Sequence, residues 1–487
     1  MVLNSYSFIL LFLPVCVALF HLSKRFGRPV IPKLILLFAS LVFYGYHNLK
    51  ALAVLCASIV LNYLFARLSD QKYRFARVSL AAGITLDIAA LLYCKYLLFF
   101  EGICNRLFST DFSATAVLIP LGISFFTFSQ IAYLVDCYRD PANACRFLDY
   151  ALFVSFFPKI TVGPIALSTE MVPSFDRAAT TDCDPALPAK GLTALAFGLA
   201  KKMLLADTLG RYVDWGYLNV EGLGSVNALI VMLAYTLQIY FDFSGVCDMA
   251  RGICLLFGLD LPRNFDSPYR ALSIDDFWRR WHITLTRFFR NYVYFPLGGN
   301  RRGRLRTLLN RFFIFLLSGL WHGASVNFLI WGALHGGGLI CSKALSSRTA
   351  KWPRLLRFAI TFLFINLTWV IFRAPDLHTA YLFFRELLLG GLSRVNVELI
   401  VAATPVEGNF LQWVFLTFTP IPTYVTGLIM ILSVLGFAFY ASVFMKNTDE
   451  RIASLVPSKK LAVVSAALLV WGILSLSGIT KFIYANF

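Results

Sequence analysis

The run from Phe312 to Cys341, FFIFLLSGLWHGASVNFLIWGALHGGGLIC, holds no Lys, Arg, Asp or Glu and two histidines, His322 and His335, and it constrains the chain more than any other stretch. Arg301, Arg302, Arg304, Arg306 and Arg311 precede it, and Lys343, Arg348, Lys351, Arg354 and Arg357 follow it. Basic loops stay in the cytoplasm, so both flanks are predicted on that side and the run must enter a bilayer and turn back. One span takes about 20 residues. The run is too long for one crossing and too short for two, which predicts a broken hairpin with Trp321, His322 and Gly323 at the turn, deep in the protein. An ionisable side chain at that depth marks a functional site, because holding it there costs free energy.

The rest of the chain is of the same kind. Of 487 residues, 58% are hydrophobic, 16% aromatic and 14% charged, with mean hydropathy +0.70, which excludes an ordinary soluble protein. The net charge of +18 gathers in a few loops. Membrane orientation explains most of it without a nucleic-acid partner, and attraction of a phosphate-bearing substrate to the cytoplasmic face accounts for some of the rest. The ten cysteines show no CxxC pair, and Cys16, Cys56, Cys94, Cys254 and Cys341 sit within apolar runs as small fillers, not metal ligands.

No positive residue precedes the first apolar run, and Lys24, Arg25, Arg28 and Lys33 follow it, the charge order of an uncleaved anchor with its N-terminus outside. Further runs lie at Ile31 to Tyr46, Leu49 to Phe65, Ser79 to Phe100 and Val117 to Val135, with 101 to 116 as an external loop. Phe147 to Ile165 is apolar but interrupted by Pro158, Lys159, Gly163 and Pro164. Such a broken segment either packs on protein or lies at the interface. Residues 166 to 190, with Pro173, Pro185 and Pro188, read as a loop. Val226 to Phe243 and Val246 to Leu259 read as two spans joined through Asp242, Ser244, Gly245 and Asp248. The two carboxylates either line a polar tunnel or are bonded to neighbouring elements. A final span is expected at Leu461 to Ser477.

The stretch 260 to 311 is basic. Ser273, three residues before Asp276, predicts a helix start. A continuous helix from Ile274 places Phe277, Trp281, Leu285, Phe288 and Tyr292 on one side and Arg279, Arg280, Arg287 and Arg290 around the other, until Pro296 and the Gly298 to Asn300 turn end it. That is a helix lying at the membrane interface, aromatic below and cationic above. Arg279, Arg280 and Arg287, with Trp281 and Asn291, are the candidate binding residues for an anionic cytosolic donor.

Four ordered motifs carry a resemblance: FDFSGVCDMARG (Phe241 to Gly252), LPRNFDSPY (Leu261 to Tyr269), DFWRRWHITLTRFFRNYVYFPLGGNR (Asp276 to Arg301) and SGLWHGASVNFLIWGALHG (Ser318 to Gly336). Together they resemble the membrane-bound O-acyltransferase superfamily. The likeness is greatest to its bacterial branch, which includes the alginate O-acetyltransferase membrane subunit, the peptidoglycan O-acetyltransferase and the teichoic acid D-alanyl transfer protein. Weaker echoes at Asn4 and Ser124 extend it over nearly the whole chain. The resemblance implies an all-α polytopic membrane protein of about 11 to 12 crossing or re-entrant helices around a central tunnel. Residues 1 to 165 would supply N-terminal spans, 166 to 345 the catalytic core, and 346 to 487 the C-terminal spans and tail. It also implies His322 as the catalytic residue and His282 as the second site position, with Trp321, Asp242, Asp248 and His335 lining the tunnel. The ending resembles the branch's FIYxxF motif, making Tyr484 a candidate acyl relay or else an interfacial anchor. Asn291, Cys247 and Leu167 depart from the family's usual aspartate, serine and arginine.

Transfer from a thioester to a hydroxyl needs a base, and neutral histidine suits that task near pH 7. The reaction implied is movement of acetyl from cytosolic acetyl-CoA, across the bacterial inner membrane, toward a secreted polysaccharide. An external SGNH (serine-esterase-like) partner would complete it, and no permanently bound cofactor or metal is expected. Two other readings stand beside it. One is an acyltransferase fed by a carrier protein, as in the D-alanyl branch; the other is a polysaccharide or lipid-carrier transporter, against which the lack of a nucleotide-binding loop or visible inverted repeat weighs.

Overall fold

The computed structural model describes residues 1–111, 119–181, 184–403 and 422–477, so Tyr484 lies outside the described residues. Among the described residues the chain is helical, with no strand. Six helices are long and apolar enough to cross a membrane: Ser7–Lys24, Leu49–Leu68, Ala76–Asn105, Gly224–Leu256, Arg354–Arg373 and Tyr424–Val443. Five of them are only 17 to 39% buried within the protein, whereas Gly224–Leu256 is 83% buried. A helix apolar all round and enclosed by protein is a central post; the less enclosed five leave wide apolar faces for lipid. This is a multi-pass membrane protein.

The chain opens with α1 (Leu13–Lys24), α2 (Val30–Gly45), α3 (Leu49–Leu68), α4 (Ala76–Phe108) and α5 (Ile123–Arg139). The segment expected to be broken is α6 (Phe147–Ser155), a bend at Phe156, the single turn α7 (Phe157–Ile160) and irregular backbone up to Leu167. It packs on protein and not at an interface, since Tyr150 to Phe157 are buried. The backbone groups released by the bend find partners there: the Phe157 N–H donates to Ser40 Oγ on α2 at 3.2 Å, and the Ile165 N–H donates to Thr284 Oγ1 at 3.0 Å.

Residues 166 to 190 are not the expected loop. They form α8 (Ser168–Thr180) and the start of α9 (Ala186–Ala200). Glu170 accepts the Leu167 N–H at 3.1 Å to cap α8, and Met171, Phe175 and Ala178 recur at helical spacing on its buried side, which outweighs Pro173. After α10 (Asp207–Leu218), the two spans expected at Val226 to Leu259 are one helix, α11 (Gly224–Leu256). Its carboxylates need no break in the helix because a wide turn at Lys201–Ala206, following α9, brings cations to them. Lys201 Nζ lies 2.5 Å from Asp248, and Lys202 Nζ lies 2.7 Å from Asp242 and 2.8 Å from Asp207. Gly245, expected at the joint, is instead a contact point: a Cβ there would stand 2.8 Å from the Gly198 carbonyl oxygen, so the small residues let α9 and α11 approach closely.

The expected interfacial helix is likewise corrected. It is α12 (Ile274–Arg280) and α13 (Ile283–Phe289), broken at Trp281 and His282, with a wide turn at Arg290–Tyr294. His282 adopts φ +44°, the left-handed region. Residues 264 to 266 insert their own hydrogen bonds at the break: the Ile283 N–H donates to the Asn264 carbonyl at 3.0 Å and the Asp266 N–H to the Arg280 carbonyl at 2.9 Å. Tertiary bonds there replace the helical ladder.

Candidate active site

The hairpin expected around His322 is α14 (Arg304–His322) and α15 (Val326–Ala344), joined by Gly323 to Ser325. Gly319 and Gly332 let the two helices touch: a Cβ on either would fall 2.2 or 2.3 Å from a carbonyl oxygen of the other helix. Gly323 is extended, and Ser325 Oγ accepts the Asn327 N–H at 3.3 Å to start α15. His322 is therefore the last residue of α14, where helix carbonyls lack partners. Helix α4 supplies them. Lys95 Nζ donates to the carbonyls of Trp321 at 2.6 Å and His322 at 3.0 Å, and the Tyr96 hydroxyl donates to the Leu320 carbonyl. A half-buried cation here also opposes the negative end of the helix dipole.

Lys95 thus positions the histidine through its backbone carbonyl. Lys95→Met is expected to lower kcat roughly ten- to a hundredfold by releasing the turn, with KM little changed and Lys95→Arg recovering part of the loss. Steady-state kinetics in proteoliposomes check this; equal kcat in wild type and Lys95→Met would remove the positioning role.

The Trp321 indole is the centre of the cluster. Its ring lies 4.9 Å from that of His322 and 5.9 Å from that of His282, centre to centre, with Phe128 stacked on it at 5.5 Å. The hairpin turn and the α12–α13 break are in this way brought to one ring, and both histidines are buried. His282 is held by Asn264, whose Oδ1 is 3.2 Å from His282 Nδ1 and also accepts from the Thr284 N–H at 3.2 Å and the Thr284 hydroxyl at 2.9 Å. An oxygen that accepts from three sides requires Nδ1 to carry the proton. Nε2 then keeps its lone pair, and it has no hydrogen-bond partner among the described residues. An imidazole oriented at one nitrogen and open at the other is arranged to take a proton.

Residues 118–383 match the model of the membrane-bound O-acyltransferase family, MBOAT, more than half of the chain. The chain belongs to this family. A peptidoglycan O-acetyltransferase of Helicobacter pylori is 41% identical over 77% of this chain and 78% of its own length. A probable alginate O-acetylase, AlgI, of Pseudomonas aeruginosa is 38% identical over 81% of this chain and 77% of its own. A teichoic acid D-alanyltransferase of Bacillus subtilis is more distant, 26% identical over 53% and 69%.

The other residues expected at the site of this MBOAT acyltransferase take different places around the two histidines. His335 is buried one layer away, where the Trp278 indole N–H donates to its Nδ1 at 3.2 Å and the Trp331 ring lies 4.6 Å off. Trp281, expected on the aromatic side and as a donor-binding candidate, is buried among Phe265, Phe277 and Trp369. Asp242 and Asp248 sit in the lysine pairs already described, and Asp248 also accepts from the Thr448 hydroxyl at 2.5 Å. The three arginines expected to bind the donor are each matched by a carboxylate: Arg279 by Asp275, Arg280 by Asp276 at 2.8 Å, and Arg287 by Glu170 through two bonds of 2.5 and 3.0 Å. Asn291 instead lines an open cleft. Among the described residues no group of three or more His, Cys, Asp or Glu side chains could hold a metal ion.

Lys95 and Asn264 were not singled out from sequence. Lys95 had a signal: it is a lone cation in the apolar run Ser79 to Phe100, and the rule applied to His322 applies equally to it. Asn264 lies inside the LPRNFDSPY motif, but nothing in its spacing points to an imidazole 18 residues on.

Proposed function

We propose that this acyltransferase moves an acetyl group from cytosolic acetyl-CoA to a polysaccharide outside the cytoplasmic membrane, either peptidoglycan or an alginate-like exopolymer. The acceptors follow the names of the relatives, and the resemblance adds an external SGNH esterase-like protein as the step that reaches the polymer. The observation that carries the chemistry is the pair of buried histidines on one tryptophan, with His282 locked as the Nδ1–H tautomer. His322 takes the hydroxyl proton as the oxygen attacks the thioester carbonyl. The tetrahedral intermediate then expels the thiolate, and the imidazolium returns the proton to sulfur, giving the ester and free coenzyme A. His282, with Nε2 as acceptor, orients the attacking hydroxyl toward His322. Tyr484 is retained as the relay that carries the acetyl outward, on the resemblance alone.

The test is turnover of purified protein in sealed proteoliposomes. Acetyl-CoA on the face bearing Arg302 and Arg354 should yield free thiol and, on the opposite face, acetylated acceptor. Turnover only with an acyl carrier-protein thioester would replace the donor, and flux of intact polymer without thiol release would make the protein a transporter.

The Asn264 contact predicts a pH signature. Asn264→Ala frees the imidazole to turn and change tautomer, and is expected to cost about ten- to a hundredfold in kcat. Asn264→Asp keeps an acceptor for Nδ1–H but adds negative charge, which raises the affinity of His282 for its second proton. His282 must be neutral for Nε2 to accept the hydrogen bond that orients the hydroxyl, so the rise of activity with pH should move to higher pH in Asn264→Asp while much of the plateau rate returns. Identical pH profiles in wild type and Asn264→Asp would make the contact structural only.

A further inference from the structure

The arginines expected to receive an anionic donor are neutralised by Asp275, Asp276 and Glu170. A different cationic site lies between the C-terminal end of α5 and the wide turn that follows α13. It is an open cleft of about 590 Å³, lined by Arg139, Asn291, Asn300 and Arg301, within the size of small-molecule sites. Arg301 is exposed and has no carboxylate within 4.0 Å among the described residues. Arg139 bonds the Asn291 carbonyl at 3.2 Å and lies over the Tyr292 ring at 5.6 Å, with its nearest carboxylate, Asp136, at 4.0 Å. One oxygen of that carboxylate accepts the Tyr292 hydroxyl at 2.7 Å, the other is the one facing Arg139, and Asp136 itself lines the cleft. The cleft therefore presents the Arg301 guanidinium without a carboxylate partner and the Arg139 guanidinium with a distant one, and exposed Arg302 and Arg304 follow Arg301 in the chain. Planar guanidinium forks are suited to phosphate oxygens, which they meet with paired charge-assisted bonds.

The lining of the cleft is tied to the histidine cluster through a chain of hydrogen bonds. Leu167, which lines it, ends the irregular backbone whose Ile165 N–H donates to Thr284, and Thr284 bonds the Asn264 oxygen that holds His282. We propose that this cleft anchors the phosphate groups of the acyl donor, with Arg139 and Arg301 taking phosphate oxygens. A nucleotide-bearing thioester would then be held by its polar end while its acyl end reaches the histidines. The inference rests on the reading of coenzyme A thioester as the donor. The phosphate of an anionic lipid headgroup shares this chemistry and is the competing source.

The test uses the full chain in nanodiscs of zwitterionic phosphatidylcholine and measures equilibrium binding of free coenzyme A, of 3′-dephospho-coenzyme A and of phosphate-free pantetheine. Arg301→Gln is an exposed substitution that leaves the fold intact, and Arg354→Gln, also exposed, is the control. Coenzyme A affinity should fall about tenfold in Arg301→Gln, pantetheine affinity should not change, and Arg354→Gln should match wild type. The affinity gap between coenzyme A and its dephospho form should narrow in the same variant. Equal coenzyme A affinity in wild type and Arg301→Gln would overturn the assignment. So would an effect seen only when anionic phosphatidylglycerol replaces the neutral lipid, which would give the cleft to a headgroup. Binding also separates this inference from the reaction: wild type that binds coenzyme A through Arg301 but never turns over acetyl-CoA would refute the donor reading and keep the phosphate site.

Discussion

His322→Ala is expected to lower acyl transfer by roughly 10²- to 10⁴-fold, the range that a positioned proton acceptor contributes. The fold should survive. The α14 cap is made to backbone carbonyls at 320, 321 and 322, which alanine keeps, and the α14–α15 contact runs through Gly319 and Gly332. The measurement is thiol release per folded protein, with folding followed by monodisperse elution and thermal unfolding. A variant that elutes and melts like wild type and still transfers at wild-type rate would end the assignment of His322 as base. His282→Ala removes the imidazole whose tautomer Asn264 fixes; it should fall short of that loss if His282 only orients the hydroxyl, and equal it if the two imidazoles act as one unit.

The largest expected effect on stability is at Lys202. Its ammonium lies between Asp242 and Asp207, and the side chain is 3% exposed. Lys202→Met leaves two carboxylates facing each other without the cation, and breaking a buried pair of this kind costs about 3 to 5 kcal/mol. The yield of folded protein should collapse. Adding Asp242→Asn removes one stranded charge and should recover most of it, a coupling that a double-mutant cycle of unfolding midpoints would quantify. Additive midpoints would show that Lys202 acts through its packed stem and not through its charge.

How much of this was legible beforehand differs from element to element. The hairpin was, because charge order and run length act locally and leave few ways to fold. The two histidines were tied to one site by motif resemblance, and the ring contacts through Trp321 give that tie a geometry. The single course of α11 was not legible, since the lysines that reach Asp242 and Asp248 come from a different helix and through a wide turn with no sequence signature. The arginine face was half legible. Asp275 with Arg279, and Asp276 with Arg280, stand at helical i,i+4 spacing and could have been paired from sequence, whereas Glu170 is 117 residues from Arg287. The break at His282 was hidden for the same reason: local amphipathic spacing favours an unbroken helix, and the bonds that interrupt it come from Asn264 and Asp266.

The clip made by Lys95 and Tyr96 has a consequence for how the chain can be divided. The family match begins at residue 118, yet both side chains that terminate the helix bearing His322 lie before it. A fragment cut to the matched boundaries would keep each histidine and lose the groups that seal the helix bearing one of them. The smallest autonomous unit of this enzyme therefore reaches back at least through α4, and chimaeras that exchange N-terminal spans between relatives must carry a matching lysine and tyrosine with the hairpin they serve.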